Sequence, residues 1–345
     1  MYAMKIAITG GAGFIGGHLT RAYLDAGHDV LVIDSLQHGS RQALDRRARF
    51  SPLDIRDGKL RTILQHERPD LLSHHVAQYG VPGEQALSDA DAHIRGLLNV
   101  LDGCVEASVS KIIFASGGNS LYGRVDAALL PVDEDAPLCP QRPADISRVA
   151  GEWYVRYYTR SYGLAHTILR YADVYGETDH ALAHHPLSQV ICALLERRRP
   201  IIYGTGEALR DHIFIEDVVR ANLSALTRGE GQTLHISSGR GATLTQMYRL
   251  AVEVLQSDIE PVHLSETRAP ASSIVLDNTR ARRILGWRPV ISLPEGIQRA
   301  VALLDARNAY SVSREGQRES RTALAHTTRS AQGERAPAQR SIVLI

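Results

Sequence analysis

Gly10, Gly11, Gly13 and Gly16 in "TGGAGFIG" have the spacing that brings a backbone against a charged group. The stretch follows the β-branched run "KIAIT" and opens an amphipathic segment. Glycines there permit a tight turn and close approach to a pyrophosphate, which the free N–H groups and positive end of the next helix attract. Phe14 and Ile15 complete the turn. Asp34 ends the next apolar run, 18 residues beyond Gly16, where a carboxylate accepts from both ribose hydroxyls of an adenosine. A carboxylate there repels a 2′-phosphate, and no Arg or Lys follows until Arg41, so NAD is expected rather than NADP. Asp54 in "LDIRD" ends the third apolar run, placed to meet the adenine.

Positioning these groups requires an ordered frame, and the pattern supplies one. Short β-branched runs (5–10, 29–34, 49–54, 70–77, 111–116) alternate with amphipathic stretches (14–27, 60–67, roughly 87–107). Strict alternation predicts right-handed crossovers and a parallel sheet covered on both faces. "AHTILRYADVYG" (165–176), a strand running into a loop, follows a helical segment at 151–163. From about 177 the pattern loosens into a helix near 186–198, short strands near 201–203 and 212–215, and a helix at 216–228. The expected division is a dinucleotide domain over 1–176, a mostly substrate-binding lobe over 177–310, with some segments returning to the sheet, and a disordered tail over 311–345.

Composition narrows the function class. A net charge of +1 gives no electrostatic reason to expect nucleic acid or an anionic membrane. No apolar run approaches the ~18 residues of a membrane span, and a cytoplasmic address follows by default. Cys104, Cys139 and Cys192 fit neither a disulfide framework nor a zinc motif. His180 and His184 in "HALAHH" are spaced as a metal pair, but no third ligand is evident, so no metal is expected.

The chain resembles the extended short-chain dehydrogenase/reductase superfamily, in particular NAD-dependent nucleotide-sugar epimerases and dehydratases. "TGGAGFIGGHL", "VIDSLQHG", "DIRD", "HHVAQYGV", "SLYGR", "LRYADVYG", "GTGEALRDHIFIEDVVRAN" and "ILGWRPVISLPEGI" carry the resemblance over about residues 4–305. It implies a Rossmann-type doubly wound parallel sheet with a smaller C-terminal substrate-binding lobe, NAD as cofactor, and a homodimer joined through a two-helix face. Cofactor contacts are implied for Ile55, Val76, Ala77 and Gln78. It further implies a nucleotide-diphosphate sugar as substrate, gripped by Arg210 and Arg268 with help from the Asp173 position. Bidentate arginines suit diphosphate geometry.

The segment "CPQRPADISRVAGEWY" (139–154) departs from the resemblance. Family chemistry uses a tyrosinate that takes the sugar hydroxyl proton and a lysine four residues later that lowers its pKa. Pro140, Pro143, Ser147, Gly151 and Glu152 fix a register that places Ala144 at the tyrosine and Arg148 at the lysine. The chain's three lysines, Lys5, Lys59 and Lys111, are preceded four residues earlier by Met1, Ile55 and Ala107, so no displaced pair exists. Gly117 stands at the usual Ser/Thr position, with Ser116 and Ser120 beside it, and His93 replaces a common asparagine. Arginine cannot act as base. The expectation is therefore a non-standard set drawn from Arg148, Ser116, Tyr122 and Asp173, with His93, Asp145 and Tyr175 as further groups of the cleft. A new Asp173–Arg148 charge pair would mark new chemistry. The alternative is a catalytically silent NAD- or nucleotide-binding partner or sensor.

Overall fold

The computed structural model describes residues 3–76, 85–176, 186–265 and 272–306. Its strands are β1 (Lys5–Thr9), β2 (Asp29–Asp34), β3 (Arg49–Pro52), β4 (Leu71–His74), β5 (Lys111–Gly117), β6 (Ala165–Tyr171), β7 (Asp173–Tyr175), β8 (Ile201–Tyr203), β9 (Arg210–Phe214), β10 (Gln232–Ile236), β11 (Gly241–Ala242) and β12 (Val262–Leu264). The helices include α1 (Phe14–Asp25), α2 (Lys59–Glu67), α3 (Gln85–Ala90), α4 (Leu97–Glu106), α5 (Pro143–Tyr162), α6 (Pro186–Leu195), α7 (Ile215–Ala225), α8 (Leu244–Leu255) and α9 (Thr279–Leu285), and residues 293–306 are helical as well. Seven strands form one parallel sheet in the order β10-β6-β5-β4-β1-β2-β3. The order reverses between β1 and β4, and open α/β sheets bind ligands outside that point.

Burial on both faces explains why the strands read as continuous apolar runs. On one face Ile112 and Phe114 of β5 pack with Leu60, Leu64, Leu97, Leu101 and Val155. Helix ends follow local chemistry. Pro143 starts α5, and Gly163 in the left-handed region (φ 73°) ends it. As expected, later segments return to the sheet: β10 extends its edge beside β6. Lys111 Nζ donates to the carbonyls of Ala225 and Arg228, tying β5 to the end of α7.

Three boundaries differ from the sequence expectation. The helix expected over 87–107 is α3 and α4 joined by a π-type turn at Asp91–Gly96. In the segment expected to run from strand into loop over 165–176, β6 ends before Ala172, whose N–H donates to the Ile236 carbonyl of β10. The remainder becomes β7, which pairs with β9 in a separate three-stranded sheet, β11-β9-β7. Asp173, inside the expected 1–176 domain, thus begins a strand outside the seven-stranded sheet. A two-stranded sheet, β12-β8, completes the described strands. No described helix is long and apolar enough to cross a membrane. The expected tail, 311–345, lies outside the described residues.

Candidate functional site

The glycine turn brings backbone against backbone. Gly10 lies in the left-handed region, and a Cβ there would sit 2.6 Å from the His75 carbonyl oxygen. A Cβ on Gly16 would sit 2.1 Å from the Gly10 oxygen. Gly13 caps α1 with no side-chain hydrogen bond, so the start of the helix keeps no protein anion of its own. Phe14 and Ile15, half-buried, form its first turn. Asp34 faces this loop: Oδ2 accepts from the Ala12 N–H at 3.0 Å and Oδ1 from the Leu36 N–H at 2.8 Å. The residues therefore fit a dinucleotide: Gly10, Gly13 and Gly16 would hold its pyrophosphate and Asp34 its ribose.

Asp54, expected near the adenine, is already engaged by the protein. Asp54 is held by Arg56 through three donors, and the Arg56 hydrogen bonds keep its carboxyl below the usual range. Arg56 also reaches Asp91 at 2.7 Å. Ile55 is buried in the core, under Gly96 of the π-type turn. Val76 packs partly buried against the same core, beyond the end of β4. Ala77 and Gln78 lie outside the described residues.

On α5 the register read from the sequence places Ala144 and Arg148 in the first turns, and a charge cluster is built there. Asp145, 1% exposed, accepts from Ser120 Oγ (2.7 Å), Arg142 Nε (2.7 Å) and Arg148 Nη1 (3.2 Å). Helix α3 packs against α5 and brings in Asp89. Asp89 is buried, and its Oδ1 has no hydrogen-bond partner. Burial raises its pKa, against the pull of Arg148 and Arg142. The expected Asp173–Arg148 pair does not form; Arg148 pairs with Asp145, and Asp173 pairs elsewhere.

Ser116 and Tyr122 require correction as catalytic candidates. Ser116 Oγ donates to Glu152 Oε1 at 2.8 Å, facing the core. The Tyr122 hydroxyl lies 2.5 Å from His235 Nε2 and accepts from Arg170 Nη1 at 2.7 Å. Burial pushes that phenol far above its ordinary pKa. Both belong to a buried network in which Arg170 donates to both oxygens of Glu152, at 2.8 and 2.7 Å. Tyr175 is likewise buried and its pKa raised by burial.

On the substrate side, Arg210 forks onto Asp173: Nε donates to Oδ2 at 2.9 Å and Nη2 to Oδ1 at 3.0 Å. Asp211 next to it turns inward and accepts from Ser238, Gly239 and Leu276 backbone N–H groups. Arg268, His180 and His184 lie outside the described residues, and no metal-binding group occurs among the described ones.

The NAD dependent epimerase/dehydratase family matches residues 6–237. The chain belongs to that family. A putative UDP-glucose 4-epimerase of Methanocaldococcus jannaschii is 32% identical over 306 residues, 88% of this chain and 99% of the relative. The crystal structure of UDP-glucose 4-epimerase from Thermotoga maritima with UDP-glucose has a TM-score of 0.84 and 34% identity, covering 88% of this chain and 99% of that one. The Thermus thermophilus enzyme in complex with NAD has a TM-score of 0.81 and 29% identity, covering 87% and 98%.

Within this NAD-dependent epimerase/dehydratase chain, the buried histidines make stability sensitive to acid. Burial holds His74, His75 and His235 down to about 3 and His166 to about 4, from 6.5. His74 lies 2.8 Å from Thr9 Oγ1 and stacks on Phe114, a structural placement. Below 6.5 the unfolded chain binds protons that these rings refuse, so stability falls as pH drops from about 6.5 toward 4. Asp211, pushed up to about 7 from 3.8 by burial, opposes this over that window and offsets one histidine. Thermal unfolding is expected to show a lower midpoint at about pH 5 than at about pH 7.5.

Sequence reasoning passed over Asp89 and the inward use of Glu152 and Arg170. In the sequence Glu152 and Arg170 stand 18 residues apart, and no local pattern pairs them.

Proposed function

We propose that this chain is an NAD-dependent enzyme of the epimerase/dehydratase type that acts on a nucleotide sugar without a tyrosine–lysine pair. The observation that carries the reading is the ordered charge cluster at the start of α5. Decay of an active site leaves no reason for Ser120, Arg142 and Arg148 to converge on one buried carboxylate. The cluster also contains a carboxyl oxygen, Asp89 Oδ1, with no hydrogen-bond partner. A buried carboxyl whose pKa is raised by burial accepts a proton more readily than an ordinary carboxylate and can return it. Arg148 holds the nicotinamide ribose or a substrate oxygen, since a guanidinium does not act as base. NAD supplies hydride exchange when bound; the residues of the chain orient substrate and move the hydroxyl proton.

The test uses purified protein loaded with NAD and a UDP-sugar deuterated at its ring carbons. Label is expected on the nicotinamide. Asp89→Asn is expected to lower its transfer roughly 10²–10⁴-fold with NAD retained, the range of general acid–base catalysis. No label with any sugar nucleotide, despite bound NAD, would favour the silent partner or sensor, a reading supported by the inward turn of Ser116 and Tyr122.

The dimer belongs to the same proposal. Helix α5 exposes Ile146, Trp153 (61%) and Tyr157 (45%), spaced along one face, and Leu87 of α3 is also exposed. Burying such a stripe against a second copy stabilises by about 25 cal/mol per Å² of apolar surface. Tyr157→Arg with Trp153→Glu is expected to give a monomer by analytical ultracentrifugation.

A further inference from the structure

The Asp173–Arg210 pair has the geometry of a ligand already seated. Two parallel N–H···O bonds of 2.9 and 3.0 Å are the arrangement a guanidinium otherwise offers to a phosphate or carboxylate. The backbone of Arg210 cannot shift to offer another edge. It is registered against Ala242 of β11 on one side and bridged to Ile274. Asp173 is fixed likewise, as β7 is registered to β9 through Asp173↔His212. Only the side chains can part, and they are partly open to solvent, at 24% for Arg210 and 30% for Asp173.

We propose that Asp173 is a specificity-determining residue that competes with a nucleotide diphosphate for Arg210. The inference rests on the nucleotide-sugar reading above. A diphosphate reaching Arg210 must break the fork and leave its own negative charge beside the carboxylate. Like charges at that separation oppose binding. The site therefore discriminates in favour of ligands that bring a hydrogen-bond donor or cation to Asp173 alongside an anionic oxygen for Arg210. Unadorned diphosphates bind weakly.

Calorimetric titration of the full-length, NAD-loaded protein with UDP tests this. Asp173→Asn keeps the shape and removes the charge, and is expected to tighten UDP binding by at least about tenfold. Adding Arg210→Met to Asp173→Asn is expected to erase the gain. Should Asp173→Asn fail to fold, Asp173→Ser gives the same comparison. Equal UDP affinity in wild type and Asp173→Asn overturns the inference while leaving the nucleotide-sugar reading intact, and so does a gain that survives Arg210→Met. UDP bound by no variant, with NAD bound by all, overturns the nucleotide-sugar reading and this inference with it.

Discussion

Replacing Arg170 with methionine is expected to lower the stability of the protein by about 3–5 kcal/mol, the cost of stranding a buried charge. Glu152 is fully buried, and Arg170 is 3% exposed. The guanidinium donates to both Glu152 oxygens and to the Tyr122 hydroxyl. Arg156 also reaches Glu152, at 3.0 Å, but from a more exposed position, so it compensates only in part. Besides the carboxylate, the substitution strands the Glu134 carbonyl, which accepts from Arg170 Nη1 at 3.1 Å. Urea unfolding of the variant beside wild type measures the loss. A change below about 1 kcal/mol would mean that the pair is solvated and contributes as a surface ion pair does.

The second large effect falls on the cofactor. Gly16→Ala places a methyl group 2.1 Å from the Gly10 oxygen and 2.8 Å from the Gly11 Cα. Both are backbone atoms of the same turn, so the clash is relieved only by reshaping the cradle. The variant is expected to lose retained NAD and roughly 1–3 kcal/mol of stability, the cost typical of overpacking. Gly17→Ala is the control, because its Cβ comes no nearer than 3.8 Å to the Gly11 oxygen. There alanine in a helix is expected to keep NAD and add up to about 1 kcal/mol. Mass spectrometry of the nucleotide carried through purification reads the outcome. NAD retained by Gly16→Ala would show that the pyrophosphate lies elsewhere.

What was legible in the sequence was local. The glycine turn and the alternation that builds the sheet depend on neighbours a few residues away. Ser116 was readable in principle. It shares strand parity with Ile112 and Phe114, which pack into the same core as Val155 of α5, so its hydroxyl faces Glu152 on that helix. Tyr122 was not readable, because its partner His235 lies 113 residues away on an edge strand whose register no local pattern reveals. The same holds for Asp173. Its charge was visible, but its partner depended on β7 pairing with β9 outside the main sheet, where the sequence pattern shows only a strand running into a loop. The π-type turn at Asp91–Gly96 was hidden because one extra residue in a helical turn leaves the apolar period nearly unchanged.

The proposed absence of the tyrosine route is tested by interconversion of UDP-glucose and UDP-galactose by the NAD-loaded protein. Wild type is expected to run at least 10²-fold below Ala144→Tyr/Arg148→Lys, the smaller end of what a positioned acid–base group contributes. Turnover of UDP-galactose by wild type as fast as the double variant would contradict the account.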